Sequence, residues 1–199
     1  HALLKQKLAT LPYARALFIV DPGGVIKHHS DPLPAAARHF SDREYFNWHR
    51  TRPHSLYVGK PIVSRTTGTW FVAASRRLPT VDGSFGGVIV VALEPRAFQA
   101  FYRNLDVGRD GAIELLHQDG ELIARTPAAP TWVGMATGSN LTLKDLARSG
   151  SRTFRTVSPV DGEARIYSAR PVAGAPLMVQ VGLSEEEVLA GWREQKAVT

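Results

Sequence analysis

The 199-residue chain contains no cysteine, which excludes disulfide staples, thiol nucleophiles and thiolate metal sites and is compatible with an oxidising compartment. No apolar run approaches the ~18–20 residues of a membrane-spanning helix; the longest, Val88–Leu93, is strand-sized. Lys and Arg number 24 against 18 Asp and Glu, a net charge of +6, yet no block of one sign forms. The basic residues are scattered, and no aromatic platform or zinc-knuckle spacing accompanies them, so nucleic acid is not an expected partner. Catalytic signatures are missing as well. There is no Gly-x-Ser-x-Gly elbow, phosphate loop, His-Glu-x-x-His or acidic cluster able to hold magnesium. Gly83-Ser84-Phe85-Gly86-Gly87 enters a strand rather than a helix, so it offers phosphate no helix N-terminus and reads as a tight turn. With 44% hydrophobic and 21% charged residues, the chain is an ordinary globular one, long enough for two domains of about 100 residues.

The densest chemistry lies in Ser41–Arg50, Ser-Asp-Arg-Glu-Tyr-Phe-Asn-Trp-His-Arg. Ser41 and Glu44 have the capping-box spacing that opens a helix, and Pro53 limits that helix to about three turns. Tyr45, Trp48 and His49 fall on one side of it at i, i+3 and i+4, with Phe46 beside them. Either an aromatic plug on a sheet or a ligand-facing helix fits this pattern.

Around this helix the periodicity is that of β-structure. Leu3, Leu4, Leu8 and Leu11 give His1–Leu11 a helical spacing that reads as the end of a longer helix. Because the chain opens on His1 rather than Met, a fragment of a longer protein is expected. A hairpin follows (Ala16–Val20, Val25–His28), then the polar stretch Ser30–His39 and the central helix. Three strands, Tyr57–Ser64, Thr69–Leu78 and Ser84–Leu93, form a meander, and Glu94-Pro95 opens a helix to about Asn104. The second half repeats the pattern. Phe18–Ile26 matches Leu115–Ile123 with Gly23 on Gly120, and Val63-Ser64, Gly68, Val72, Arg76 and Leu78 match Val157-Ser158, Gly162, Ile166, Arg170 and Val172. Ser184 and Glu187 open a closing helix through Gln195, its apolar side formed by Val188, Leu189 and Trp192. The copies differ where Ser41–Arg50 is replaced by Gly138–Arg148, whose Leu141, Leu143 and Leu146 read as packing. The expectation is an α+β chain of two antiparallel sheets of about five strands, flanked by helices.

Five histidines, His28, His29, His39, His49 and His54, crowd the first half. No pair of them has the helical spacing or carboxylate partner of a metal centre, and no cofactor is expected. The donors that converge by order are Arg43, Tyr45 and His49 on the helix, Lys60 and Arg65 on the first meander strand, and Trp70, Ser75, Arg76 and Arg77 on the second. Strand alternation puts Trp70 and Arg76 on one face and Ser75 and Arg77 on the other. One arginine of the pair therefore faces the covering layer, where it needs either an anion (Asp42, Glu44 or a ligand) or an exit to water.

Ser41–His49, Gly59-Lys60-Pro61-Ile62-Val63-Ser64, Gly68-Thr69-Trp70, Ser75-Arg76-Arg77 and Asp82–Val88, with Asp119–Leu122, Val160-Asp161-Gly162, Tyr167-Ser168 and Pro176–Ser184, resemble the double Cache (PDC) sensor domains. These are extracytoplasmic parts of bacterial membrane receptors, such as histidine kinases and diguanylate cyclases. The resemblance implies tandem PAS-like domains: residues 1–14 ending the N-terminal helix, 15–97 a membrane-distal ligand-binding domain, and 98–199 a membrane-proximal domain with a C-terminal helix. It implies a non-enzymatic, periplasmic sensor of a small polar or anionic molecule, with flanking transmembrane helices and a homodimer as partners. Taken from the converging donors, the candidate ligand set is Arg43, Tyr45, His49, Lys60, Trp70, Ser75 and Arg76. In amino-acid-binding relatives an Arg and a Tyr–Trp set hold the carboxylate, matched in part by Arg43, Tyr45 and Trp70, while an Asp late in the last strand holds the amine. Val88–Leu93 has no such Asp. A ligand-free structural or dimerising ectodomain, or a metal- or haem-binding sensor, are the alternatives.

Overall fold

The computed structural model describes residues 2–32, 39–52, 55–138, 146 and 149–190. The chain divides into two compact units, His1–Ala97 and Phe98–Thr199. His54, most of Gly138–Arg148 and the end of the closing helix, Trp192 included, lie outside the described residues.

The first unit opens with α1 (Ala2–Leu8), shorter than the leucine spacing suggests. Its last turn tightens, with Leu11 N–H donating to Leu8 O at 2.9 Å and Thr10 Oγ1 to Lys7 O at 2.7 Å. Then come β1 (Ala14–Val20), β2 (Ile26–His29), α2 (Glu44–Thr51), β3 (Leu56–Val63), β4 (Trp70–Pro79) and β5 (Phe85–Leu93), followed by α3 (Pro95–Tyr102). The second unit contributes β6 (Ala112–His117), β7 (Leu122–Thr126), β8 (Arg152–Val157), β9 (Ala164–Pro171) and β10 (Leu177–Ser184), with a 3-10 turn at Pro130–Trp132.

The two sheets share one topology, β2-β1-β5-β4-β3 and β7-β6-β10-β9-β8, antiparallel throughout. Their turns repeat bond for bond. Gly68 N–H donates to Ser64 O at 2.9 Å and Gly162 N–H to Ser158 O at 2.8 Å, both glycines at positive φ. In the first hairpin the equivalent of Gly120 is Gly24, not Gly23. Gly24 N–H donates to Asp21 O as Gly120 N–H does to His117 O, and Gly24 and Gly120 take φ of 83° and 90°. The one-residue shift arises because the glycine that matches is the one in the left-handed region that closes the turn, and Gly23 is not in that region.

In the first unit, Ala16, Phe18, Val20, Val88, Val90, Ala92, Phe71 and Ala73 turn one face of the sheet toward Tyr45 and Phe46 of α2. In the second, Leu116, Leu122, Ala169 and Met178 close around Leu146.

Candidate functional site

The first turn of α2 is not the capping box of its sequence. The helix begins at Glu44 with Arg43 at the N-cap and no side-chain cap bond. Ser41 instead packs against Gly24, where an added Cβ would lie 2.5 Å from the Ser41 Cβ. Asp42 is held by Arg65 in a two-pronged ion pair, one prong 2.9 Å long. That competing partner, donated from the β3–β4 turn, holds residues 41–43 in a turn rather than a first helical turn. The Arg65 hydrogen bond also holds the Asp42 carboxyl below its ordinary range.

Beyond that turn, α2 presents Tyr45, Phe46 and His49 to the sheet, all 1% exposed or less. Tyr45 is edge-on to Phe18 with centroids 6.2 Å apart, and Phe46 to Phe85 at 5.3 Å. A cavity of about 200 Å³ lies at the start of this helix, lined by Arg43, Glu44, Tyr45, Tyr57 and Lys60 among others. Burial raises the Tyr45 phenol, outweighing the lowering influence of Arg43 and Arg65, so it remains a protonated donor. Its hydroxyl is buried without a hydrogen-bond partner, and so is Arg43 Nε. The other end of the Arg43 guanidinium is fixed, Nη2 donating to Val63 O at 3.1 Å.

Arg43 also lines a slot of about 20 Å³ with Arg15, Phe18, His29 and Phe71. Arg15 is a residue that strand alternation misplaces. The register of β1 on β5 shifts between Ala14 and Ala16, and such a bulge re-aims the extra side chain. The Arg15 guanidinium lies 6.0 Å from the Phe71 ring centroid, and its Nε is buried without a partner.

The expected donor set is divided by the sheet. Arg43, Tyr45 and Lys60 meet at the cavity. His49 and Ser75 form a buried pair under α2, Nε2 to Oγ 3.0 Å, away from the cavity lining. Trp70 and Arg76 are exposed on the opposite face of β4 and do not reach this cavity. The physical reason is the strand's phase: Phe71, Ala73 and Ser75 are buried, so their neighbours point the other way. Arg77 is the arginine on the α2 face. Its Nη1 donates to His49 O at 3.3 Å and its Nη2 to Gly83 O at 3.1 Å, and its guanidinium lies 5.4 Å from the Phe85 centroid. Backbone carbonyls, not Asp42 or Glu44, accept from it.

The second unit holds its own buried charge network. Glu114 Oε1 accepts from Arg125 Nε at 2.9 Å, and Arg125 also pairs with Asp161. Asp161 takes both Nη groups of Arg165, at 2.8 and 2.9 Å. Burial acts to raise the Asp161 carboxyl, but bonds from Arg165 and Arg125 hold it far below the ordinary range. Sequence reading passed over this set because its members are dispersed along three strands and a turn. In the β6–β7 turn, His117 Nδ1 approaches Asp119 Oδ2 at 3.5 Å and Glu121 Oε2 at 3.6 Å.

Two five-stranded antiparallel sheets of identical order, each with a face turned inward on a helix or a polar cluster, define a tandem PAS-like sensor. A family model described as dCache_1-like, histidine kinase sensor domain, matches residues 95–182. The extracellular domain of rpHK1S-Z16, assigned as a histidine kinase, is 38% identical, with a TM-score of 0.82 over 96% of this chain and 79% of that one. The chain belongs to the double Cache family of extracellular sensor domains, which bind ligands rather than catalyse reactions. The fold is shared at lower identity by the Vibrio cholerae histidine kinase DctB sensor domain (16%, TM-score 0.63, 92% of this chain and 77% of that one). It is also shared by the ligand-binding domain of the Pseudomonas aeruginosa PAO1 amino-acid chemoreceptor PctB, solved with L-Arg (18%, TM-score 0.68, 100% of this chain and 76% of that one). No curated protein sequence gave a significant match. Among the described residues, no helix is long and apolar enough to cross a membrane.

Proposed function

We propose that this domain serves a bacterial membrane receptor and that its first unit, residues 15–97, binds a small anionic molecule in the cavity at the start of α2. The observation that supports this is the pair of buried donors without partners, Tyr45 Oη and Arg43 Nε. A buried donor left unmade costs about 1–3 kcal/mol, and a ligand carboxylate accepting from both recovers it with charge-assisted bonds. Lys60 adds positive potential at the lining. At about 200 Å³ the cavity is smaller than the ~300–1,000 Å³ of drug-sized sites, which favours a compact metabolite. PctB and the Pseudomonas fluorescens chemoreceptor CtaA were solved with L-Arg and L-leucine, ligands that share a carboxylate. β5 supplies no acidic side chain for an amine, and of the two carboxylates on the cavity lining Asp42 is paired with Arg65 and Glu44 is bonded to Tyr57; the carboxylate end is the one this site reads. In the receptor, transmembrane helices flank the domain, a homodimer carries the signal, and the output is a cytoplasmic histidine kinase or diguanylate cyclase.

The test is calorimetry on the purified chain with small mono- and dicarboxylates and amino acids. Tyr45→Phe and Arg43→Ala should each weaken binding about tenfold or more, with the melting temperature nearly unchanged. Silence across the panel would favour a structural or dimerising ectodomain. Melting losses with unchanged affinity would show α2 to be only a core plug.

A further inference from the structure

The second unit contains a larger cavity, about 530 Å³, on the face of its sheet that carries Glu114, Gln180, Tyr167 and Phe154. Its inner wall carries two buried polar side chains, Glu114 and Gln180. Gln180 is 4% exposed, and its Nε2 donates to Glu114 Oε2. Glu114, already bonded by Arg125, is an acceptor only, so the amide cannot be turned round without setting oxygen against oxygen. Gln180 Oε1 is thereby fixed as a buried acceptor, and it has no partner. It calls for an O–H or N–H donor.

Two further features describe the rest of the molecule that fits. Phe154 and Tyr167 are stacked at an interplanar angle of 16° with centroids 5.7 Å apart, both on the cavity lining. Tyr167 is 1% exposed, so Phe154 is the member of the pair with ring surface left to offer a planar body. Two of the three charged residues on the wall are paired from behind it: Glu114 with Arg125, which shares Asp161 with Arg165, and Arg155 with Glu185. Arg152, which also lines the cavity, has no acidic partner among the described residues. Gln180 pairs with Ala169, and Ala169 with Arg152. Cross-strand partners share a face, so the backbone positions of Gln180 and Arg152 stand two strand spacings apart, ~9–10 Å, with Ala169 between them.

We propose that the second unit carries a ligand site of its own, for a small aromatic carboxylate whose ring bears an O–H or N–H donor. The donor meets Gln180 Oε1, the ring lies against Phe154, and the carboxylate meets Arg152. This site is independent of the first-unit cavity, and the chain is then a two-input sensor.

The test is isothermal titration of the whole chain with 4-hydroxybenzoate and indole-3-carboxylate. At least one should bind, one per chain, and about tenfold or more tighter than its analogue lacking the donor or the carboxylate. Arg152→Ala, a change at an exposed residue, should weaken it by a similar factor while leaving any first-unit ligand unaffected. Arg43→Ala should do the reverse. Gln180→Leu should abolish the preference for the donor-bearing ring; if that variant fails to fold, the analogue comparison and Arg152→Ala decide. Failure of both probes to bind overturns the proposal, as does binding that survives Arg152→Ala but is lost in Arg43→Ala. The first result leaves the first-unit reading untouched, and the second would place the probe in the first unit instead.

Discussion

Ser75 and His49 clasp α2 to the sheet: Oγ lies 3.0 Å from Nε2 and donates to the Tyr45 carbonyl at 3.3 Å. The hydroxyl has one hydrogen, and with that given to the carbonyl, His49 Nε2 carries its own proton and donates back. Ser75→Ala removes both bonds at a site 2% exposed. A loss of about 1–3 kcal/mol in the first unit's unfolding free energy is expected. Chemical denaturation reads it; a change within ~0.5 kcal/mol, the size of an ordinary surface substitution, would show the clasp to be incidental.

The same histidine makes the first unit acid-sensitive. Burial is the largest cause lowering both His29 and His49 below the ordinary 6.5, with Arg15 and Arg77 adding to it. Below pH 6.5 the unfolded chain therefore binds more protons than the folded one, and stability rises with pH. The contribution is complete above pH 6.5 and is lost as pH falls from there toward the folded values. Hydrogen exchange at pH 7.5 and 5.5 should show the protection of β1, β4 and β5 falling at the lower pH after correction for intrinsic rates. Equal protection at both would refute this.

The second unit should fail at a lower pH. Asp161 is depressed when folded, against an ordinary value of 3.8, so its contribution is present above that value and disappears as pH drops below it. Asp161→Asn leaves Arg125 and Arg165, each 2% exposed in the side chain, without their shared carboxylate. With Asp161 itself 29% exposed, the cost is set at about 2–3 kcal/mol, below the full price of breaking a buried pair. Differential scanning calorimetry should show the transition of residues 98–199 move down while that of the first unit holds.

Gly87 is a position where no other residue fits. Its φ is 108°, and an added Cβ would lie 2.1 Å from Val20 O. Strain in the left-handed region and displacement of β1 from β5 add, so Gly87→Ala should cost about 3 kcal/mol or more. Gly83→Ala, also at positive φ but with open space around its Cβ, should cost less. Reversal of that order in melting experiments would contradict the packing described.

Much of the architecture was legible because two-residue alternation and turn glycines are local signals. The meander, its Gly68 and Gly162 turns and the repeated sheet all follow from them. The site was legible only in part. Alternation correctly separated Ser75 and Arg77 from Trp70 and Arg76, but proximity in order had grouped all four with α2. Arg15 could not be read, because a bulge is one residue out of phase with the rule used to find inward positions. The Ser41–Glu44 box failed because Arg65, far along the chain, competes for Asp42. The Glu114–Gln180 cluster was hidden because each polar residue lies on a different strand from its partner.

The pairing of β1 with β5 has a mechanical consequence. Ala14, where β1 begins, is opposite Leu93, where β5 ends, and Glu94 N–H donates to Tyr13 O at 2.9 Å. The first unit thus starts and finishes at one neck. Tension applied between its two ends meets the antiparallel ladder from its open side and loads the hydrogen bonds one after another, as a zipper does, instead of all together in shear. The Tyr13–Glu94 bond is the first tooth, and a pull too weak to part it leaves the whole eighty-residue lobe undisturbed.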